Sequence, residues 1–180
     1  MLSYALLGFL SYAPMTGYDL KKILDDSINF FWVAQTSQIY RELKTLETDG
    51  YITSTLKPSE KGPDRREYKI TESGAIQLKN WLSDLHVEEK MRNEFMIHIF
   101  FSSQIGAEEL YIQMSNKLKE YLKEQQALQE VADKIQEYAE RFGKEEDSFY
   151  WKIVLSRGIH DVDAKVNWAK ETLTLLKSKM

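Results

Sequence analysis

Cysteine is absent from the 180-residue chain, and proline and histidine occur only three times each. Without cysteine the protein has neither disulfides nor thiolate-ligated metal, which is typical of a reducing cytoplasm. His86, His98 and His160 lack the spacing of zinc ligands. No apolar run approaches the length of a membrane-spanning helix. We therefore expect a packed cytoplasmic protein with no metal or other cofactor and no membrane contact.

Residue patterns typical of enzymes are lacking as well. Acid-base groups lie close together in the sequence at His160, Asp161 and Asp163, and again at Glu88 and Glu89. No nucleophile, glycine-rich phosphate loop or metal cluster accompanies them, and a helix through residues 160–163 would scatter its side chains around its axis. The sequence therefore does not predict catalysis.

The most informative segment that the chain does contain is residues 36–71, which begins with TSQIYRELKTLETDG. On a helical wheel Ile39, Leu43 and Leu46 fall in one narrow sector, the stripe of a helix that packs on a core. The opposite face and its flanks carry hydroxyls, an amide and two cations, which suit phosphates and base edges in a DNA major groove. The candidate DNA contacts on this helix are Ser37, Gln38, Tyr40, Arg41 and Lys44.

Two short strands joined by a basic turn follow this helix. Their sequences are YITSTLK and REYKIT, and the turn contains Gly-Pro-Asp flanked by Lys61, Arg65 and Arg66. These three cations are further candidate DNA contacts, since a basic hairpin tip suits phosphates or a minor groove. Helix and hairpin taken singly also fit an ordinary solvated surface. Their order and lengths together favour a winged helix-turn-helix.

The net charge of −4 sets a limit on the strength of DNA binding. Residues 57–69 nevertheless hold five Lys or Arg against three Asp or Glu, so the field is locally positive. We expect moderate, salt-sensitive affinity that depends on a specific site and on two copies of the chain.

Capping signals mark the helix ends in this region. Thr16 followed by Asp19 approximates a capping box for a helix that precedes the 36–71 segment. Thr36 or Ser37 is the expected N-cap of the next helix, and Gly50 is the left-handed residue expected at its end.

Over its first 84 residues the chain resembles the PadR family of bacterial transcriptional regulators. The matching motifs are YALLGFLSYAPMTGYDL at 4–20, FWVAQTSQIYRELKTLETDGYI at 31–52 and GPDRREYKITESG at 62–74. The resemblance implies an N-terminal winged helix, a C-terminal helical dimerisation region of the virulence-activator type, and operator binding as a dimer, usually in repression. Some relatives respond to small aromatic compounds. Arg41 stands where the family often has proline, so no operator preference is carried over.

Residues 86–180 have a different pattern. Apolar residues recur in alternating steps of four and three from Met114 to Phe142, interrupted by Gln125, and again from Leu155 to Leu176. Neither helix can bury such a seam alone, so we expect a dimer, with a monomeric helical hairpin as the alternative. The candidate dimer-interface residues are Leu118, Leu128, Ile135, Leu155, Ile159, Val162, Val166 and Leu173.

The segment EFMIHIFF at 94–101 is apolar on every side and is expected to be deeply buried. It is interpreted either as a core helix or as part of an effector pocket, since aromatic walls with one or two polar groups are common in ligand sites. The candidate pocket residues are Phe95, His98, Phe101, Tyr111 and Trp151.

These observations together predict a mainly α, α+β winged-helix protein. Its domains are a winged helix-turn-helix DNA-binding domain at 1–84 and a helical region for dimerisation and effector binding at 85–180. The predicted function is a cytoplasmic homodimeric transcription regulator, a repressor of operator DNA released by a small aromatic effector. The alternative is a winged-helix adaptor that contacts proteins and binds no specific operator.

Overall fold

The computed structural model describes residues 1–58, 65–84 and 93–180. The expected fold class is confirmed, since the chain is mainly helical with one small antiparallel sheet. Two compact units are present: an N-terminal unit of residues 1–87 and 136–146, and a C-terminal unit of 88–135 and 147–180. The elements are α1 (Leu2–Leu10), β1 (Met15–Thr16), α2 (Gly17–Ser27), α3 (Thr36–Thr48), β2 (Ile52–Lys57), β3 (Arg65–Ile70), α4 (Glu72–Leu82), α5 (Glu94–Phe100), a 3₁₀ turn (Ser102–Gln104), α6 (Gly106–Phe142) and α7 (Glu145–Lys177).

Three helices and the sheet enclose the core of the N-terminal unit. Helix α1 is strongly apolar and α2 is amphipathic, and both contact α3. The predicted capping box is confirmed, because the Thr16 hydroxyl accepts from Asp19 N at 3.2 Å and Asp19 Oδ2 accepts from Thr16 N at 3.1 Å. The side chains that are fully buried here include Leu6, Leu7, Leu10, Leu20, Leu24, Ile39, Leu43 and Ile52.

The sheet has the order β1-β3-β2, with both pairs antiparallel. Tyr68 on β3 lies opposite Met15 on one side and Ser54 on the other. Helix α4 follows the wing closely, because a Cβ on Gly74 would lie 2.1 Å from the carbonyl oxygen of Tyr51. Only glycine permits this approach of the two backbones, so α4 is fixed against the start of β2.

The last turns of α6 complete the N-terminal unit. The hydroxyl of Tyr138 donates to Asp26 Oδ2 at 2.7 Å, and the Phe142 ring lies 6.1 Å from that of Tyr12. Burial, followed by the hydrogen bond to Asp26, raises the pKa of Tyr138. Gly143 has a φ of 59° and ends α6, as predicted. Residues 136–146, which lie far from the winged helix in sequence, are thus held against α2 and the end of α1.

In the C-terminal unit α6 and α7 pack along the two predicted seams. Gln125, the polar residue that interrupts the first seam, donates to Asp163 Oδ1 at 2.6 Å, and Lys165 Nζ lies 2.9 Å from Glu124 Oε1. The buried cluster at the α5 end of this pair comprises Leu110, Met114, Tyr121, Val166 and Ala169. Among the described residues no helix is both long enough and apolar enough to cross a membrane.

The expectation that residues 94–101 are deeply buried is wrong for the single chain. Helix α5 buries none of its residues, and Phe100 is 80% exposed. Phe95 and Ile99, one turn apart, pack against the α6–α7 cluster. Helix α5 thus packs one face on this cluster, while Met96, Ile97 and Phe100 on its other sides are exposed in the described chain.

Candidate nucleic-acid interface

The exposed face of α3 carries all five candidate DNA contacts predicted for it. Ile39, Leu43 and Leu46 are buried, as their spacing predicted. The opposite side of the helix is solvent-exposed, and the polar residues there are Ser37, Gln38, Tyr40, Arg41 and Lys44. The structure therefore presents one continuous polar surface along the 13-residue helix.

The N-cap of α3 is Gln35, so the expectation of Thr36 or Ser37 was wrong by one or two residues. Gln38 Oε1 accepts a hydrogen bond from Gln35 N at 3.1 Å, which is the bond that a Glu or Gln at the third helical position makes in a capping box. With its oxygen engaged in this bond, the Gln38 side chain still has its amide NH2 group to donate to a ligand. Gly50, with a φ of 75°, ends the helix as predicted.

Tyr40 has a packing role in addition to its exposure. Its side chain is 48% exposed, yet a Cβ on Gly17 would lie 2.6 Å from Tyr40 Cε1. The absence of a side chain at Gly17 therefore lets the Tyr40 ring lie on the first turn of α2. This contact sets how closely α2 and α3 approach each other.

The two cations of the α3 face are unpaired within the part of the chain that the structure describes. Arg41 and Lys44 are both exposed and have no ion-pair partner among residues 1–58, 65–84 and 93–180. The neighbouring hydroxyls are engaged, because Thr45 donates to Arg41 O at 3.2 Å and Thr48 donates to Lys44 O at 2.9 Å. The hydrogen-bond donors of this face that remain available to a ligand thus belong mainly to the longer side chains, such as Arg41 and Lys44.

The candidate contacts on the wing differ in availability. Lys61 and the Gly-Pro-Asp turn lie outside the described residues. Arg65, at the start of β3, is exposed and has no ion-pair partner among the described residues. Arg66 Nη1, in contrast, lies 3.5 Å from Glu47 Oε2 and 3.3 Å from Ser54 Oγ.

Glu47 was missed by the sequence analysis. Its Oε1 accepts from the Ser54 hydroxyl, while its Oε2 faces Arg66. The Tyr68 phenol is buried nearby: burial raises its pKa, and Arg66 lowers the pKa while Glu47 raises it. The signal available in the sequence was Ser54, a hydroxyl at a strand position that shares its face with Ile52 and therefore needs a polar partner.

Four of the five candidate effector residues lie at the α5 end of the C-terminal unit. Phe95 meets Trp168 edge to face at 6.2 Å, His98 Nε2 lies 2.8 Å from Gln113 Oε1, and Lys177 lies over the Tyr111 ring at 5.7 Å. Phe101, the fourth, follows α5 directly and is exposed.

Trp151 does not join that group within one chain. It precedes Trp168 by 17 residues on the same helix, which corresponds to about 25 Å along the α7 axis. A groove of about 360 Å³ lies instead midway along the α6–α7 pair and is lined by Leu122, Gln125, Gln126, Gln129, Ile159, Val162 and Asp163.

The eight candidate dimer-interface residues lie in the seam within a single chain. Leu128, Ile135, Leu155, Val162 and Val166 are buried, and Leu118, Ile159 and Leu173 are half-buried. They are thus covered by contacts within one chain. The heptad pattern indicated that the helices pair, and each partner helix belongs to the same polypeptide.

Other apolar side chains of α7 remain exposed. Phe149 and Tyr150 are 63% and 65% exposed, and Ile153 and Val154 are exposed on the following turn. At 100° per residue, Phe149, Tyr150 and Ile153 lie about 120–160° from Leu155, on the side of α7 away from the buried stripe, and Val154 lies nearer its edge. The hairpin therefore has a second apolar surface that its own seam does not use.

Two family models match most of the chain. Residues 6–80 match the transcriptional regulator PadR-like family, and residues 91–177 match the virulence activator alpha C-terminal family. The chain belongs to the PadR-like family of transcriptional regulators. This PadR-like regulator is 29% identical over 181 positions to the negative transcriptional regulator PadR of Bacillus subtilis (strain 168), with 98% of the chain and 97% of the relative covered.

The structural comparisons agree with this assignment. Bacillus subtilis PadR in complex with operator DNA matches with a TM-score of 0.81 at 27% identity, covering 97% of this chain and 98% of that one. The same protein in complex with p-coumaric acid matches with a TM-score of 0.77 at 28% identity, covering 98% and 95%. The PadR-like regulator thus has the winged-helix fold that its sequence predicted.

Proposed function

We propose that this PadR-like regulator binds operator DNA as a repressor, through the exposed face of α3 and the wing formed by β2 and β3. The observation that carries the proposal is the α3 surface, where Arg41 and Lys44 are exposed without ion-pair partners in the described chain and lie beside a hairpin bearing Arg65. The operator complex of a PadR of the same fold supports it. Repression is further supported by the relative in Bacillus subtilis, which is a negative transcriptional regulator.

The proposal assigns one task to each part of the chain. Residues 1–84 form the DNA-binding domain, and residues 85–180 form the region for dimerisation and effector binding. The alternative, a winged-helix adaptor without operator binding, would require the same exposed cations to serve a protein surface. A cytoplasmic location is part of this proposal, because operator DNA is found there.

Homodimerisation is the second element of the proposal. The exposed apolar side chains of the first α7 turns, Phe149, Tyr150 and Ile153, support it, because contiguous exposed apolar surface is typical of protein interfaces. These residues replace the seam residues as the proposed interface, since the seam is filled from within the chain. A two-fold dimer would place its two α3 helices about one DNA turn, ~34 Å, apart or a multiple of it.

A small aromatic effector is the third element. The p-coumaric acid complex of Bacillus subtilis PadR supports this ligand class. We place the pocket at the α5 end of the C-terminal unit, with Phe95, His98, Phe101 and Tyr111 as its candidate residues and without Trp151. The effector would act by favouring dimers whose two α3 helices no longer match the groove spacing.

DNA binding is tested with a fluorescent duplex that wild-type protein selects from a random-sequence library. Arg41→Ala with Lys44→Ala is expected to weaken binding and to lower the slope of log K against log salt by about 0.9 for each phosphate that the side chains no longer neutralise. Lys170→Ala with Lys179→Ala removes the same charge from the end of α7 and should leave that slope unchanged. Equal behaviour of the two double variants, or failure to select any duplex, would favour the adaptor.

The effector class is tested separately with p-coumaric acid. Binding near Trp168 is expected to change tryptophan fluorescence and to reduce affinity for the selected duplex. If the acid changes neither quantity at millimolar concentration, phenolic acids are not the effectors of this protein.

A further inference from the structure

A three-residue cluster joins α3 to the wing. Glu47 lies in the last turn of α3, Ser54 is on β2, and Arg66 is on β3. Arg66 Nη1 lies 3.5 Å from Glu47 Oε2, and the Ser54 hydroxyl donates to Glu47 Oε1. One carboxylate therefore holds both strands of the wing, each through a different oxygen. Arg66 also lies 3.3 Å from Ser54 Oγ, which closes the triangle.

We propose that Glu47 is a positioning residue that fixes the wing against the recognition helix, and that Arg66 serves this clamp rather than a DNA phosphate. The inference rests on the proposed function, because the clamp matters only if helix and wing must fit DNA together. The proposal also assigns different roles to the two adjacent arginines of the wing. Arg65 contacts phosphate, and Arg66 contacts protein.

Removal of the Glu47 charge distinguishes this proposal from the alternative that Glu47 is a surface carboxylate without a role, because the two predict opposite changes in DNA affinity. A carboxylate on a DNA-facing surface repels phosphates, so removing an idle one raises affinity for DNA. Removing a carboxylate that orients the wing lowers affinity, because the wing must then be ordered when DNA binds. Glu47→Gln tests this, since the amide keeps one oxygen that accepts from Ser54, while the charge is lost and an NH2 group replaces the oxygen that faces Arg66.

Glu42→Gln is the matched control. Glu42 belongs to the same helix, carries the same charge and makes no hydrogen bond or ion pair with the described residues. Both variants are compared with wild type by anisotropy on the duplex that wild type selects. Glu47→Gln is expected to lower affinity about two- to fivefold, the range of a half-exposed ion pair. Glu42→Gln should bind equally well or more tightly.

The salt dependence distinguishes the two arginines. Arg65→Gln is expected to lower the slope of log K against log salt by about 0.9, the value of one phosphate contact. Arg66→Gln is expected to lower affinity as Glu47→Gln does, with the slope unchanged. Glu47→Gln combined with Arg66→Gln should bind no more weakly than the weaker single variant, because both break the same pair.

Two results would overturn the clamp: tighter binding by Glu47→Gln, or a slope for Arg66→Gln that falls as far as that for Arg65→Gln. If Glu47→Gln fails to fold, Ser54→Ala tests the β2 half of the clamp and must also lower affinity with the slope unchanged. Failure of wild type to bind any duplex would contradict the proposed function and would be visible before any variant is made.

Discussion

In the N-terminal unit the helices α1, α2 and α3 each turn one apolar face inward, and Leu6, Leu20 and Leu43 are fully buried there. The C-terminal unit fills the seam between α6 and α7 in the same way, yet α5 buries no residue and Phe149 and Tyr150 lie in solvent. The buried core of the first unit is enclosed within one chain. The second unit keeps apolar side chains of α5 and α7 exposed, and the proposed dimer would cover those on α7. Under that proposal, folding and association use different side chains.

The largest effect that would test this contrast is expected in the N-terminal core. Leu43→Ala should lower the free energy of unfolding by about 2–5 kcal/mol, because it removes a fully buried side chain and leaves a cavity. Phe100→Ala, in the exposed part of α5, should change the free energy of unfolding of the separated chain by less than about 0.5 kcal/mol. Urea unfolding at low protein concentration measures both. If the two variants lowered the free energy of unfolding equally, the distinction between the two units would be contradicted.

Association should respond to the exposed α7 face. Ile153→Asp is expected to raise the dimer dissociation constant at least tenfold, about 1.4 kcal/mol, because the new carboxylate would be buried at the interface. Ala164→Asp introduces the same group on the same side of α7 three turns later and is the matched control. Sedimentation equilibrium measures both. A wild-type chain that stays monomeric at micromolar concentration would contradict the dimer itself.

A smaller effect is expected where the end of α6 contacts α2. Tyr138→Phe should cost about 1 kcal/mol, since it leaves Asp26 without its hydrogen-bond donor. The pKa of Tyr138 is raised above the ordinary tyrosine value of 10.0, so the folded chain keeps the proton when the unfolded chain releases it. This stabilisation is therefore present below about pH 10 and decreases above it. Unfolding experiments from pH 8 to 11 should show a shallower alkaline decline for Tyr138→Phe than for wild type.

The smallest effect is expected for partly exposed ion pairs, whose contribution to stability should be similar in the two units. The ion pairs Lys57–Glu67 in the wing and Lys165–Glu124 between α6 and α7 are both partly exposed. Double-mutant cycles should assign about 0.2–1 kcal/mol to each, decreasing at 1 M salt. A coupling several times larger in one unit would mean that charge pairing, and not only apolar burial, separates the two.

Periodicity predicted the N-terminal unit well because its information is local. The spacing of Ile39, Leu43 and Leu46 defines a helix face, and the strand alternation defines the wing, whatever the partner. The same kind of signal in the C-terminal region predicted that two helices pair but not whether they belong to one chain. Leu155 and Val166 would occupy the same core positions of the heptad whether the partner helix belonged to the same chain or to a second one.

The features of the candidate site that the sequence did not predict depend on contacts between distant residues. The ion pair of Arg66 with Glu47 was not predicted, because Glu47 lies 19 positions away and on another element. Segment 94–101 was expected to be buried because composition does not reveal how many neighbours a short helix has. Trp151 was grouped with Phe95 by residue type, although the length of α7 separates them.

The hydroxyls of Thr45 and Thr48 each donate to the carbonyl oxygen one turn earlier. Each threonine is thereby held in one rotamer before any ligand arrives, so it has little torsional freedom left to lose. Arg41 and Lys44 have no ion-pair partner within residues 1–58, 65–84 and 93–180 to restrain them in this way. Ordering a long side chain of this kind costs about 0.5–1.5 kcal/mol. The side chains along α3 therefore differ in conformational freedom: the threonines are already held in place, and the two cations would lose side-chain entropy in the proposed contact with DNA.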